Sequence, residues 1–288
     1  MNLSRHPAAL VTLILSIAVW IPHPAGAHGT GHEVITALTA QLAERPNDTA
    51  LLVERGEQYL SHADLPSARA DLEKALRIDP KLDAARIRLA VVTRDEGKPD
   101  EALRMVSGVL ERQSTNHLAR SIRADLYASA GRPAEAVADY NTLLVTQVTP
   151  RPDLFLSRAR AEMAISSNRW AAAVRGLDQG IVRLGPVPSL HLLALDLEEQ
   201  GRDYKAALRR VDTIIEMAPR TDRWLMRRGD ILTAAGRMDD ARKAYRAALA
   251  ALDDLPESQR RTIASTELRK DIEARLAGKS SGVEPSRP

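Results

Sequence analysis

The feature that most constrains the fold is a period. From Ala68, small residues recur as Ala102, Ala136, Ala173, Ala207 and Ala241, separated by 34, 34, 37, 34 and 34 positions. Four residues beyond each stands a larger one: Leu72, Val106, Tyr140, Leu177, Val211 and Tyr245. A second small column runs through Gly56, Ala90, Ala124, Ala161, Ala194 and Gly229. Antiparallel helices approach closely only where the crossing residues are small, while larger neighbours one turn away fill the flanks. A near-constant spacing of this length marks stacked helical hairpins, none of which buries its apolar faces alone. Turn residues fall between the two columns, as Gly97, Gly131, Gly201 and Gly236 in four units and Asn168 in another.

The first unit carries Leu52, Gly56, Tyr59, Ala68, Leu72, Ala75 and Pro80, and the last carries Gly229, Gly236, Ala241, Tyr245 and Ala248. This pattern resembles the tetratricopeptide repeat, over about Asn47 to Asp253 in six copies. The resemblance implies an all-α, right-handed α-solenoid of about six 34-residue helix-turn-helix repeats with helical caps. The repeats are placed at residues 47–255. Before them, 28–46 carries Ile35, Leu38 and Leu42 at helical spacing and reads as a half-repeat covering the first hairpin. After them, 256–277 carries Ile263, Leu268, Ile272 and Leu276 and reads as a capping helix, and 278–288 is polar and expected to be disordered.

Departures from the period carry information. The closing proline is present as Pro80 and Pro219 but is replaced by Ser114, Val148 and Asp253. Between the third and fourth copies, Thr146 to Asp153 holds three extra residues and two prolines, as either a longer surface loop or a hinge between three-repeat halves. Arginine precedes the small residue and an acid follows it at Arg55, Arg123, Arg160 and Arg228. Asp71 and Asp139 stand where Arg55 and Arg123 reach them, so pairing within a repeat is expected. Arg228-Gly229-Asp230 spells an integrin-recognition tripeptide, but a packed helix does not present it as the exposed loop that recognition needs.

Residues 1–27 read as a cleaved secretory signal: Arg5, the apolar run Ala8 to Ile21, then Pro22, Pro24 and the small-residue site Ala25-Gly26-Ala27. The apolar run is shorter than a membrane span of about 18 residues or more. The expected location is outside the cytoplasm, periplasmic or secreted, in a bacterial envelope. Cysteine is absent, so disulfides and thiolate chemistry are excluded. A net charge of +3 and 3% aromatic residues argue against nucleic acid, which needs clustered cations or stacking platforms.

No catalytic or cofactor site emerges. Gly278-Lys279-Ser280-Ser281-Gly282 has the letters of a serine-hydrolase elbow without the strand-turn-helix context, and Glu273 occupies the upstream glycine position of a phosphate loop. His32-Glu33 begins a zinc-protease pattern that Thr36 does not complete. The expectation is a non-catalytic scaffold without metal. The alternatives are a metal-handling or enzymatic accessory protein, in which a new amino terminus at His28 with His32 holds copper or nickel, and a structural protein that self-associates through a terminal face.

The resemblance further implies that the first helices line a concave wall that takes a peptide or helix of a partner protein. The register puts Val53, Glu57, Leu60, Ile87, Val91, Arg94, Asp95, Ser121, Asp125, Arg158, Glu162, His191, Glu198, Glu199, Met226 and Asp230 on or near that wall. Acids outnumber bases there, which predicts a partner with a basic or amphipathic segment, against the plainer reading of a solvated face. Glu57 in the early part of the wall would repel a carboxylate, so capture of a chaperone's C-terminus is not expected.

Overall fold

The computed structural model describes residues 31–278. The signal sequence, His28 and residues 279–288 of the tail lie outside them. The described chain is a run of helices. Helix α1 (Gly31–Glu44) is followed by six hairpins: α2 (Thr49–Ser61) with α3 (Leu65–Ile78), α4 (Asp83–Asp95) with α5 (Pro99–Arg112), α6 (His117–Ser129) with α7 (Pro133–Thr146), α8 (Pro152–Ile165) with α9 (Trp170–Leu184), α10 (Pro188–Gln200) with α11 (Tyr204–Met217), and α12 (Asp222–Ala234) with α13 (Met238–Asp253). The short α14 (Glu257–Arg260) and then α15 (Ile263–Leu276) complete it. No strand occurs and no helix is long and apolar enough to cross a membrane among the described residues.

Helix starts follow two local devices. Asp48, Asp64, Asn116, Asp203 and Thr262 accept hydrogen bonds from backbone N–H groups of the first turn that follows them. Helices α5, α7, α8 and α10 lack a side-chain cap and instead begin with proline, whose missing N–H has no intrahelical partner at that position. The turns differ from the sequence expectation in two copies. In the fifth, the left-handed residue is Arg202, not Gly201. Gly201 is required for another reason: a Cβ there would overlap the Trp170 ring. In the fourth, a single 3₁₀ turn at Ser167–Arg169 replaces the left-handed turn.

The small columns sit at the crossings. Ala68, Ala102, Ala136 and Ala207 are fully buried, as are Leu72, Val106 and Leu177. A Cβ on Gly56 would stand 3.0 Å from the Leu72 side chain, so the glycine sets how closely α2 and α3 approach. Leu38 and Leu42 of α1 join the core of the first hairpin, and Ile272 of α15 joins that of the last, so both ends of the apolar stack are covered.

Successive first helices touch across repeat boundaries at α2/α4, α4/α6 and α8/α10, whereas successive second helices do not pack on one another in this way. The first helices therefore form the tighter, inner row of a curved stack. Such packing is missing at α6/α8 and at α10/α12; ion pairs of Arg227 with Asp196 and Glu199 bridge the second, whereas the first coincides with the extra residues of the third junction. The junction loop itself is pinned. Arg183 of α9 donates to the carbonyls of Leu144 at 2.5 Å, Val148 at 3.0 Å and Gln147, all at the end of α7 or just beyond it. These carbonyls have no helical N–H to accept from, and the guanidinium replaces it. Arg183→Ala is expected to weaken local closure by about 1 kcal/mol, because hydrogen bonds to charged groups contribute about that much or more. Limited proteolysis checks this: cutting within 147–151 should accelerate several-fold, and unchanged cutting would show that Arg183 does not hold the loop.

Candidate functional site

The inner row positions the wall residues unevenly. Val53, Leu60 and Val91 are half-buried beside the cores of the first two hairpins. Glu57 is exposed and forms an ion pair with Arg88 of α4 at 2.6 Å, so the two sit across adjacent inner helices. Arg94 pairs with its neighbour Asp95 at 2.7 Å. Glu199 of α10 accepts from Arg227 of α12 at 2.9 Å, and burial raises its carboxyl above the usual range. Met226 is half-buried against the last core.

Five of the expected wall residues do not face a partner. Ile87 is buried in the second core. Arg158 lies over Gly176 of α9 and donates to Gln179 at 3.3 Å, turning it into its own hairpin. Glu162 is buried and takes Arg169 at 2.6 Å, which closes the 3₁₀ turn onto α8. Glu198 is 2% exposed and accepts two bonds, 2.8 and 2.7 Å, from Arg210 of α11, which also reaches Asp178 of α9 at 2.9 Å. His191 is 6% exposed, with no hydrogen-bond partner on either ring nitrogen. The sequence register could not separate these from groove residues, because a wall position and an inter-helix position differ by one step of helical rotation.

Both intra-repeat pairs expected of the arginine column, Arg55 with Asp71 and Arg123 with Asp139, form. Arg55 donates to both oxygens of Asp71 at 2.7 and 2.8 Å, and Arg123 to both oxygens of Asp139 at 2.7 Å each. Arg228 turns instead to Asp212 of the preceding hairpin at 2.7 Å, and Arg160 is exposed.

Pairing also changes the charge of the wall. Of its seven acids, Glu57, Asp95, Glu162, Glu198, Glu199 and Asp230 each hold an arginine. Asp125 alone has only a neutral partner, the Tyr140 hydroxyl, which donates to it at 2.6 Å. Burial, with Asp125 beside it, pushes the Tyr140 pKa well up, so the phenol stays a donor and orients the carboxylate without cancelling its charge. Asp125 opens into a cleft of about 380 Å³ at the interrupted α6/α8 contact. Leu118, Ser121, Leu154 and Ser157 line it beside Asp125, and Leu118 is 44% exposed. Leu154 and Ser157 were not among the expected wall residues; the three-residue insertion beside the cleft was the available signal.

His191 gives a pH prediction. Burial first, and the Arg210 guanidinium second, lower its pKa, while Asp178 opposes them. The folded state thus binds less proton than the unfolded one, and this contribution to stability is lost as pH falls through the ordinary histidine value of about 6.5. His191→Leu should remove that slope and stabilise the chain by about 1 kcal/mol or more at pH 5.5, because a buried unpartnered polar group is costly. Denaturant midpoints at pH 7.5 and 5.5 check it, and an unchanged pH slope would assign the dependence elsewhere.

Among the described residues no group of acids and histidines is placed to hold a metal ion. The family description "Tetratricopeptide repeat" matches residues 191–256, and "Tetratricopeptide repeat-like domain" matches 27–149. The chain is a tetratricopeptide repeat protein. Among solved structures it is similar to the C-terminal part of a TPR repeat-containing protein from Cytophaga hutchinsonii, with a TM-score of 0.61 at 15% identity over 80% of this chain and 93% of that one. PilF of Pseudomonas aeruginosa gives 0.54 at 20% identity over 81% and 99%. PilW, described as a widely conserved type IV pilus biogenesis factor, gives 0.56 at 17% identity over 65% and 85%. Compared with curated protein sequences, the chain matches none. At these identities the structures share the fold. A tetratricopeptide array of this kind is a scaffold for protein contacts.

Proposed function

We propose that this tetratricopeptide repeat protein is an exported, non-catalytic scaffold that holds a segment of a partner protein along its first-helix row, centred on the α6/α8 cleft. The observation that carries the reading is the break in that row. Elsewhere the inner helices pack on each other or bridge by ion pairs, whereas at α6/α8 they part to expose Leu118 and an uncompensated carboxylate. A partner segment seated there would bury apolar surface that the fold leaves in water. Export is motivated by the signal pattern of residues 1–27.

A photo-crosslinking residue at Ser121, in the cleft, compared with one at the exposed Arg104 of α5, tests the location in cell-envelope extracts. The expected result is a discrete protein adduct from Ser121 and none from Arg104. Equal labelling from both positions, or none from Ser121, would overturn it. Intact mass of the exported protein tests the leader: loss of residues 1–27 is expected, and retention of Met1 would sink the reading of 1–27 as a cleaved signal, while absence of the protein from the exported fraction would sink the export reading.

A further inference from the structure

The two halves of the array repeat one another. Arg123-Ala124-Asp125, Gly131-Arg132, Ala136 and Tyr140 in the third hairpin correspond, 105 positions on, to Arg228-Gly229-Asp230, Gly236-Arg237, Ala241 and Tyr245 in the sixth. The side chains correspond as well. The Tyr140 hydroxyl donates to Asp125 Oδ1 at 2.6 Å, and the Tyr245 hydroxyl donates to Asp230 Oδ1 at 2.8 Å. Each pair faces a cleft that a later helix helps to form, the start of α8 in one case and the end of α15 in the other.

The clefts differ in what they hold. In the sixth hairpin Arg275 of α15 donates its Nε to Asp230 Oδ1 at 2.6 Å, with Leu276 beside it in the cleft. In the third, Arg151 at the rim is taken by Asp153 at 2.6 Å, and Asp125 has no cation. The two clefts share the Tyr–Asp pair and flank it on different sides, so the pair is seen once with a guanidinium on its carboxylate and once without. The sixth hairpin shows that an aspartate held by this tyrosine still accepts a guanidinium on the same oxygen.

We infer that the α6/α8 cleft binds an arginine of a partner protein, followed by an aliphatic residue, with the guanidinium on the Tyr140-held carboxylate of Asp125 and the aliphatic side chain against Leu118 and Leu154. This rests on the reading that the first-helix row is the partner-binding face, and it names the chemistry that row selects. Charge-assisted bonds from a guanidinium to a fixed carboxylate supply specificity for arginine over neutral side chains. Leu118 and Leu154 supply the apolar seat.

The probe is N-acetyl-Arg-Leu-amide, titrated into the full chain by NMR, against the same dipeptide with citrulline, which keeps the shape and removes the charge. The arginine dipeptide should bind about tenfold more tightly, and Asp125→Asn should abolish that preference. Tyr140→Phe should weaken binding less, because the carboxylate stays and only its orientation is released. Equal binding of the two dipeptides, or an arginine preference that survives Asp125→Asn, would overturn the inference. So would a dimer in solution that Asp125→Asn dissociates, since the occupant would then be α15 of a second copy. The two readings separate: a partner adduct at Ser121 that Asp125→Asn leaves intact retains the scaffold and removes the arginine anchor. Arginine binding at Asp125 without any adduct does the reverse.

Discussion

Glu198→Ala lowers stability by about 3–5 kcal/mol, the largest loss expected from a single truncation here. The carboxylate is 2% exposed and accepts both Nε and Nη2 of Arg210, whose side chain is itself only 11% exposed. Removing it leaves a guanidinium among buried groups with only Asp178, a half-solvated acid, to face. The penalty measures the orphaned charge and not the net value of the pair. The double replacement Glu198→Leu with Arg210→Met should therefore recover most of the loss, since apolar residues of similar volume often substitute for a buried ion pair without cost. Denaturant unfolding of the single and double variants decides the matter. Hydrogen exchange should show the loss concentrated in α10 and α11, because a repeat array couples mainly to nearest neighbours. A single variant within about 1 kcal/mol of the parent would mean that water reaches Arg210 and that Glu198 belongs to the wall after all.

That outcome bears on what the sequence made legible. The 34-residue columns identified the hairpins, their number and the crossing residues, because close packing of antiparallel helices admits only small side chains at fixed intervals, and Ala68, Ala102 and Ala136 are where such residues must be. Arg55 and Arg123 were assigned their aspartates for the same reason: a helical hairpin fixes which side chains meet across it. The wall was read less well. Periodicity places a residue to within one step of rotation, and that step separates Glu57, in solvent between α2 and α4, from Glu198, sealed under Arg210. Nor can periodicity show that arginines from neighbouring hairpins neutralise the acids, since Arg227 reaches Glu199 from α12 and Arg275 reaches Asp230 from beyond the repeats. The acidic wall contracts to Asp125, which stands out only after every other acid has been given its partner.

Gly229 provides the sharpest test of the crossings. In an exposed helix interior, glycine to alanine gains up to about 1 kcal/mol through backbone entropy. At Gly229 the sign should invert. A Cβ there would overlap the Tyr245 ring, and the ring cannot swing aside freely. It is buried, its hydroxyl donates to Asp230 at 2.8 Å, and it lies 3.1 Å from the Thr233 hydroxyl. Burial pushes the Tyr245 pKa up to about 12, so these contacts persist across the neutral range. Gly229→Ala is expected to destabilise by about 1–3 kcal/mol, the usual cost of overpacking. Because Asp230 also carries Arg275, the same variant should raise hydrogen exchange in α15. Gly108 of α5 is the control: its nearest neighbour to an added Cβ is the Arg112 guanidinium at 3.9 Å, so Gly108→Ala should stabilise by about 0.5–1 kcal/mol. Opposite signs from the same chemical change would show that Tyr245, and not helix propensity, requires the glycine. Stabilisation at both positions would show that the sixth hairpin can part without cost, and the close approach of α12 to α13 would lose its support.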